Sequence, residues 1–125
     1  MTTNDLTPTP GQTIGPFFGY FNAAENVHLP FENGQHLVPP GDERAIQLTG
    51  TVYDGAGDPI PDAMLEIWQA DENGNIPTQD GSLIRDPFVF TGWGRATTDN
   101  VGTYRFTTVE PGPTDDGKAP FIHVV

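Results

Sequence analysis

His123 offers the most chemistry in this chain, because it is the one histidine that falls within a strand pattern, Phe121-Ile-His-Val-Val125. An imidazole can bind a metal or move a proton near neutral pH. A metal centre, however, needs several donors converging on one point. His28 and His36 lie in an irregular stretch with no neighbouring ligand at metal spacing, so they read as solvated loop histidines. Asp71-Glu-Asn-Gly-Asn75 invites a calcium loop. Started at Asp71, that loop would need glycine where Ile76 stands and glutamate where Ser82 stands. A polar turn leaving a strand explains the cluster better. No Gly-x-Ser-x-Gly nucleophile motif and no phosphate-cradling glycine loop is present. Cysteine is absent, which removes disulfides and thiolate metal sites. The residue types alone show no self-contained active site.

The elements that would position such residues are strands. At 125 residues there is room for one domain with a modest core, and 15 glycines and 13 prolines punctuate it. No long stretch has a helical apolar period, so an all-β domain with many turns is expected. The formal charge is −12, from 17 acidic and 5 basic side chains. A surface this acidic repels nucleic acid and anionic membranes, which argues against both as partners. No apolar run is long enough to span a bilayer and no basic-then-apolar leader opens the chain, so a cytoplasmic protein is expected.

Leu48 to Asp71 organises the pattern. Leu48, Gly50 and Val52 share one strand face, with Thr49, Thr51 and Tyr53 on the other. Met64, Glu66, Trp68 and Ala70 alternate with Leu65, Ile67 and Gln69, so Glu66 or Gln69 should meet polar surroundings at an edge or interface. The glycine- and proline-bearing link Asp54 to Pro59 suggests that the two runs form a hairpin-like unit. Gly94–Thr98 and Thr103–Val109 suggest a second hairpin around Asp99-Asn-Val-Gly102. Residues 1–44 read as an N-terminal arm and interface loop, and 45–125 as the sandwich core. The arm carries Phe17, Phe18, Tyr20 and Phe21, which cover either this domain's own core or another subunit. The strand begun at Phe121 is still running at Val125, so the sandwich is expected to lack its last strands. Part of the face presented by Ile67 and Val52 would then be left uncovered.

Thr9-Pro-Gly-Gln-Thr-Ile-Gly-Pro-Phe17, Gly50-Thr-Val-Tyr-Asp-Gly55, Glu66-Ile-Trp-Gln-Ala-Asp71, Gly94-Arg-Ala-Thr-Thr-Asp99, Val109-Glu-Pro-Gly-Pro113 and Ala119-Pro-Phe-Ile-His123 occur in that order. As an ordered set they resemble the intradiol ring-cleavage dioxygenases, and most closely the α subunits of the two-subunit members acting on protocatechuate. The resemblance implies a prealbumin-like β-sandwich, in agreement with the strand pattern. It also implies a non-haem Fe(III) held by two tyrosines and two histidines of a catalytic β subunit.

The positions matching those ligands here are Ile76, Thr114, Phe121 and His123, and Lys118 matches the catalytic arginine. Isoleucine and phenylalanine cannot bind iron, so no metal ligand and no catalytic residue is assigned to this chain. The iron is expected in the partner β subunit. The implied contribution of this chain is a wall of the partner's substrate pocket, built from Thr13, Gly15, Pro16 and Phe17. The implied reaction uses O2 to open protocatechuate to 3-carboxy-cis,cis-muconate. The alternative is a non-catalytic transthyretin-like or collagen-binding-repeat-like module, which the aromatic arm and the Trp-Gln-Ala motif do not fit.

Overall fold

Alternation of apolar and polar side chains carries directly into the strands of the computed structural model, which describes residues 10–11, 34–78, 86 and 88–125. Five strands follow in order: β1 (Ala45–Thr51), β2 (Met64–Gln69), β3 (Trp93–Thr97), β4 (Thr103–Val109) and β5 (Ile122–Val124). The described residues contain no helix. β1 pairs with β4 in an antiparallel two-stranded sheet, from Ala45↔Val109 to Thr51↔Thr103. β2 is the centre of a three-stranded sheet, flanked antiparallel by β3 and β5. The two sheets face one another as a sandwich. Leu65 and Ile67 from β2, Ala96 from β3 and Phe106 from β4 form the buried core with Leu37, while Leu48, Val52, Tyr104 and Ile122 pack against it.

Neither expected hairpin forms. β1 and β2 belong to different sheets, and so do β3 and β4. Each link is a corner that carries the chain from one sheet to the other. The first starts as a hairpin would, with a bridge between Tyr53 and Pro59 and the Ile60 amide donating to Val52 O at 2.9 Å. Pro59 and Pro61 have no amide to extend that ladder. At the second corner Thr98 ties the end of β3 to the approach to β2. Its hydroxyl donates to Ile60 O at 2.7 Å and accepts from the Ala63 amide at 2.9 Å. Its own amide donates to Ala63 O. β3 is thereby committed to β2 before β4 begins.

Both corners share one local design with a third, the turn leaving β2. In Asp54–Asp58, Asp71–Asn75 and Asp99–Thr103 the aspartate amide donates to the carbonyl four residues on, at 2.8, 2.9 and 2.9 Å. The aspartate Oδ1 accepts from the amides two and four residues on. The fourth residue is glycine with φ of 89°, 81° and 74°, a left-handed conformation that costs glycine nothing. The cluster at Asp71 is therefore a capped turn, as the failed calcium spacing suggested.

Gly34–Val38 closes one side of the sandwich. The Leu37 amide donates to Thr107 O at 2.8 Å, and the Thr107 amide donates to Gln35 O at 2.9 Å. The Arg95 amide, on the other sheet, donates to Gly34 O at 2.9 Å. Leu37 and Val38 are buried. His36, expected to be a solvated loop histidine, is instead half-buried, with Nδ1 3.1 Å from Thr107 Oγ1. Of the face expected to be uncovered, Ile67 is 0% exposed, whereas Val124, its partner on β5, is 43% exposed. On the opposite side of the same sheet Met64 and Trp68 are exposed.

Candidate functional site

Gln69 joins the sheets at the end of β2. Its side chain is buried. Nε2 donates to Val109 O at 2.9 Å and to Ala70 O at 3.2 Å, while Oε1 accepts from Thr108 Oγ1 at 2.7 Å. A buried amide is tolerable only when its donors and acceptor are satisfied, and here all are. This fixes where the chain leaves β2 relative to where it leaves β4.

The two exits then pack backbone to backbone. The Gly112 amide donates to Asp71 O at 2.8 Å. A Cβ placed on Gly74 would lie 2.0 Å from Pro113 O, and one on Gly112 would lie 2.5 Å from Glu72 O. The Pro-Gly-Pro run is thus the surface on which the Asp71 turn rests. Beside it opens a cleft of about 310 Å³ lined by Arg44, Asp71, Glu72, Ile76, Phe90 and Val109 among others. Its cation is already engaged: Arg44 bonds Asp42 at 2.7 Å and Glu72 at 3.1 Å. The Arg44 guanidinium holds the Asp42 carboxyl down to about 2, and the two carboxylates push Arg44 up. The Asn75 amide, with that of Asn73, lowers Asp71.

On the far side of the three-stranded sheet, register places Trp93, Trp68 and His123 in one row across β3, β2 and β5. The two indoles meet at 5.9 Å between centroids with a 48° tilt. In the next row Arg95 Nε donates to Glu66 Oε1 at 2.8 Å, and the guanidinium lies 5.5 Å from the centre of the Trp93 ring. Met64, paired with Thr97, and Val125, hydrogen-bonded to Glu66, extend the same face. Of the polar pair singled out on β2, Glu66 therefore faces outward against Arg95, and Gln69 faces inward between the sheets.

Of the four positions matched to iron ligands, only Ile76 is among the residues that line the cleft. Ile76 is 68% exposed on the cleft. Thr114 follows Pro113, Phe121 is exposed just before β5, and His123 is exposed beside Trp68. One imidazole with isoleucine, threonine and phenylalanine does not make a donor set for a ferric ion, whose hard charge calls for anionic oxygen ligands. Among the described residues no group of three His, Cys, Asp or Glu side chains is placed to hold a metal. Lys118, at the matched arginine position, pairs with Asp115 at 2.7 Å. Thr13, Gly15, Pro16 and Phe17 lie outside the described residues, as does His28.

Sequence reasoning did not single out the Trp68–Trp93–Arg95–Glu66 face. The alternation in β2 already put Met64, Glu66 and Trp68 opposite Leu65 and Ile67. What it could not supply was the register that brings Trp93 and Arg95 beside them.

A family model described as Dioxygenase matches residues 14–120. The protocatechuate 3,4-dioxygenase alpha chain of Burkholderia cepacia is 34% identical over 129 residues, covering 99% of this chain and 64% of that relative. The beta chain from the same organism is 39% identical over 109 residues, covering 84% of this chain and 45% of that one. Among solved structures, the dioxygenase domain of a dioxygenase carbohydrate-binding protein fusion from Streptomyces sp. SirexAA-E has a TM-score of 0.54 at 26% identity, covering 94% of this chain and 65% of that one. The chain thus spans 64% and 62% of the length of the two alpha-chain relatives it matches. The match runs through both sheets, the Gln69 clip and the Pro-Gly-Pro rest, and on it the chain belongs to the intradiol dioxygenase family.

Proposed function

We propose that this chain is the α, non-iron-binding subunit of a protocatechuate 3,4-dioxygenase. The complex would use O2 to cleave protocatechuate between its hydroxyls, giving 3-carboxy-cis,cis-muconate, in the cytoplasm. The Fe(III) sits in a homologous catalytic β subunit. This chain supplies the Thr13-Ile-Gly-Pro-Phe17 wall of the partner's substrate pocket. There Thr13 offers a hydroxyl to a polar substrate group, and Gly15-Pro16 makes a rigid corner. Phe17 contributes surface and no hydrogen bond.

One observation carries the reading: a family sandwich is retained while Ile76, Thr114 and Phe121 occupy three of the four matched ligand positions. Identity of 34% to two alpha chains supports it. The test is iron content and colour. The chain purified alone is expected to hold no stoichiometric iron and to show no tyrosinate-to-iron absorption. Co-expressed with a β-type chain, the pair is expected to hold one iron and to open protocatechuate. Tightly bound iron with that colour in the isolated chain would end the proposal.

A further inference from the structure

We infer that Asp116–Gly117 is a site of spontaneous covalent modification, where the backbone isomerises through a succinimide to isoaspartate, and that the fold withholds the same chemistry from Asp54–Gly55 and Asn73–Gly74. In each pair a glycine follows a carboxyl or carboxamide side chain, the sequence that offers least steric resistance to ring closure. Asn33–Gly34 and Asp80–Gly81 have the same form and reach outside the described residues. In the step, the Gly117 nitrogen attacks Asp116 Cγ in its acid form. A C–N bond forms, and the carboxyl hydroxyl leaves with the amide proton as water. Water then opens the ring at either carbonyl. Opening at Cγ returns aspartate, whereas opening at the backbone carbonyl leaves the chain running through Cβ and Cγ. Nothing is oxidised or reduced.

The three described pairs differ in what holds the reacting groups. At Asp54 the carboxyl is held. Its Oδ1 accepts from the Ala56 amide at 2.8 Å and from the Asp58 amide at 2.9 Å. The Asp58 amide, then that of Ala56, keeps this carboxyl below its ordinary value, so it lacks the hydroxyl it would have to lose. At Asn73 the nucleophile is held. The Gly74 amide donates to Asp71 O at 3.0 Å, and a Cβ on Gly74 would lie 2.0 Å from Pro113 O. That peptide cannot turn toward the Asn73 side chain without lifting the Asp71 turn off the Pro-Gly-Pro run.

At Asp116–Gly117 neither hold exists. Both residues are exposed. Among the described residues neither the Asp116 carboxyl nor the Gly117 amide has a hydrogen-bond partner. Gly117 has φ of 78°, and a Cβ placed on it would meet nothing within 4 Å. The turn is fastened only around the pair. The Lys118 amide donates to Asp115 O at 3.2 Å, and the Lys118 ammonium meets Asp115 Oδ2 at 2.7 Å. Isomerisation lengthens the backbone by a methylene inside that turn, between Pro113 and β5.

The experiment incubates the full chain in mildly acidic buffer at body temperature, in parallel with the same chain unfolded in guanidinium chloride. Electron-transfer fragmentation of proteolytic peptides locates isoaspartate, and peptide mass reads conversion of Asn73 to the acid. In the folded chain, isoaspartate at position 116 should exceed that at position 54 by at least about fivefold, because the Asp54 turn must open first. In guanidinium the two should agree within about twofold, since local structure is gone. Asn73 should deamidate at least about tenfold more slowly folded than unfolded. Asp116→Glu, which would have to close a six-membered ring, should leave the peptide spanning that position as a single species and the Asp54 peptide unchanged. Circular dichroism checks that the variant folds. Absence of isoaspartate at position 116 in the folded chain overturns the site. Equal amounts at positions 54 and 116 overturn the protection assigned to the Asp54 turn, and deamidation of Asn73 at one rate in both states overturns the hold of the Pro-Gly-Pro run.

Discussion

The outer faces of the two sheets are built by the same alternation and end in opposite chemistry. Across β1 and β4 the outward pairs are Gln47 with Thr107, Thr49 with Arg105, and Thr51 with Thr103. Gln47 Nε2 donates to Thr107 Oγ1 at 2.9 Å, and the face is otherwise hydroxyls and a guanidinium that water can serve. Across β3, β2 and β5 the pairs are Met64 with Thr97, Glu66 with Arg95, and Trp68 with both Trp93 and His123. β-branched threonine suits a strand that stays wet on one side. Tryptophan and methionine left on a surface forgo roughly 1.5–3 kcal/mol each that burial would return. One face is polar throughout; the other carries an exposed indole and thioether. Alternation sets which residues face outward, and the choice of residue type then sets how polar each face is.

The comparison is most severely tested through the core that both faces share. Phe106→Ala should cost about 3–5 kcal/mol, because this fully buried ring fills the space between the sheets. Urea unfolding should show both faces lost in one transition, followed by tryptophan emission for one sheet and far-UV circular dichroism for the whole. Two separated transitions would mean that the sheets are independent.

The next effect concerns the clip. Gln69→Leu leaves the Thr108 hydroxyl and Val109 carbonyl without the partner they now have, a loss of about 1–3 kcal/mol. A double-mutant cycle with Thr108→Val should show coupling, since one hydrogen bond links the pair. Additive losses would show that Gln69 acts through shape alone.

On the apolar face Arg95→Met should destabilise by about 1–3 kcal/mol, because it leaves the Glu66 carboxylate partly buried beside an indole. The double variant Glu66→Gln with Arg95→Met should recover most of that loss, measured by the same denaturation. An equal loss in the single and double variants would remove the ion pair from the account. On the wet face Arg105→Met should move stability by less than about 0.5 kcal/mol.

The smallest effect is a slope against pH. Backbone amides hold Asp54 and Asp71 below the ordinary carboxylate value, Asp58 and Asn75 being the leading donors. Arg44 holds Asp42 down to about 2. Groups depressed in the folded state contribute stability that is fully present above the ordinary value near 3.8 and lost as pH falls toward 2. The denaturation midpoint should be level above that value and decline below it. Asp71→Asn should flatten the decline, whereas Trp68→Lys should leave it unchanged. A decline that persists undiminished in a variant lacking Asp54 and Asp71 would assign it to other acids.

The alternation, the corners and the missing donors were determined by the sequence itself. Period-two patterning depends only on backbone geometry, so Leu65 and Ile67 had to face opposite Met64 and Trp68. Each Asp-x-x-Gly corner closes within five residues and needs no distant partner. Isoleucine at 76 and phenylalanine at 121 cannot bind iron in any fold.

Sheet membership was decided only by tertiary structure. The corner at Asp54 and the corner at Asp99 have the local chemistry of hairpin turns, and nothing inside them says that the strands part. That depends on Thr98 reaching Ile60 across 38 residues of chain, and on Gln69 reaching Val109 across 40. His36 moved from solvent to a half-buried seat for the same reason, since Thr107 lies 71 residues away. The apolar face emerged last, because β2 contributes only one residue to each of its rows. The register with β3 and β5 turns single outward residues into a contiguous surface, and such long-range hydrogen bonds have no signature in a local stretch of residues.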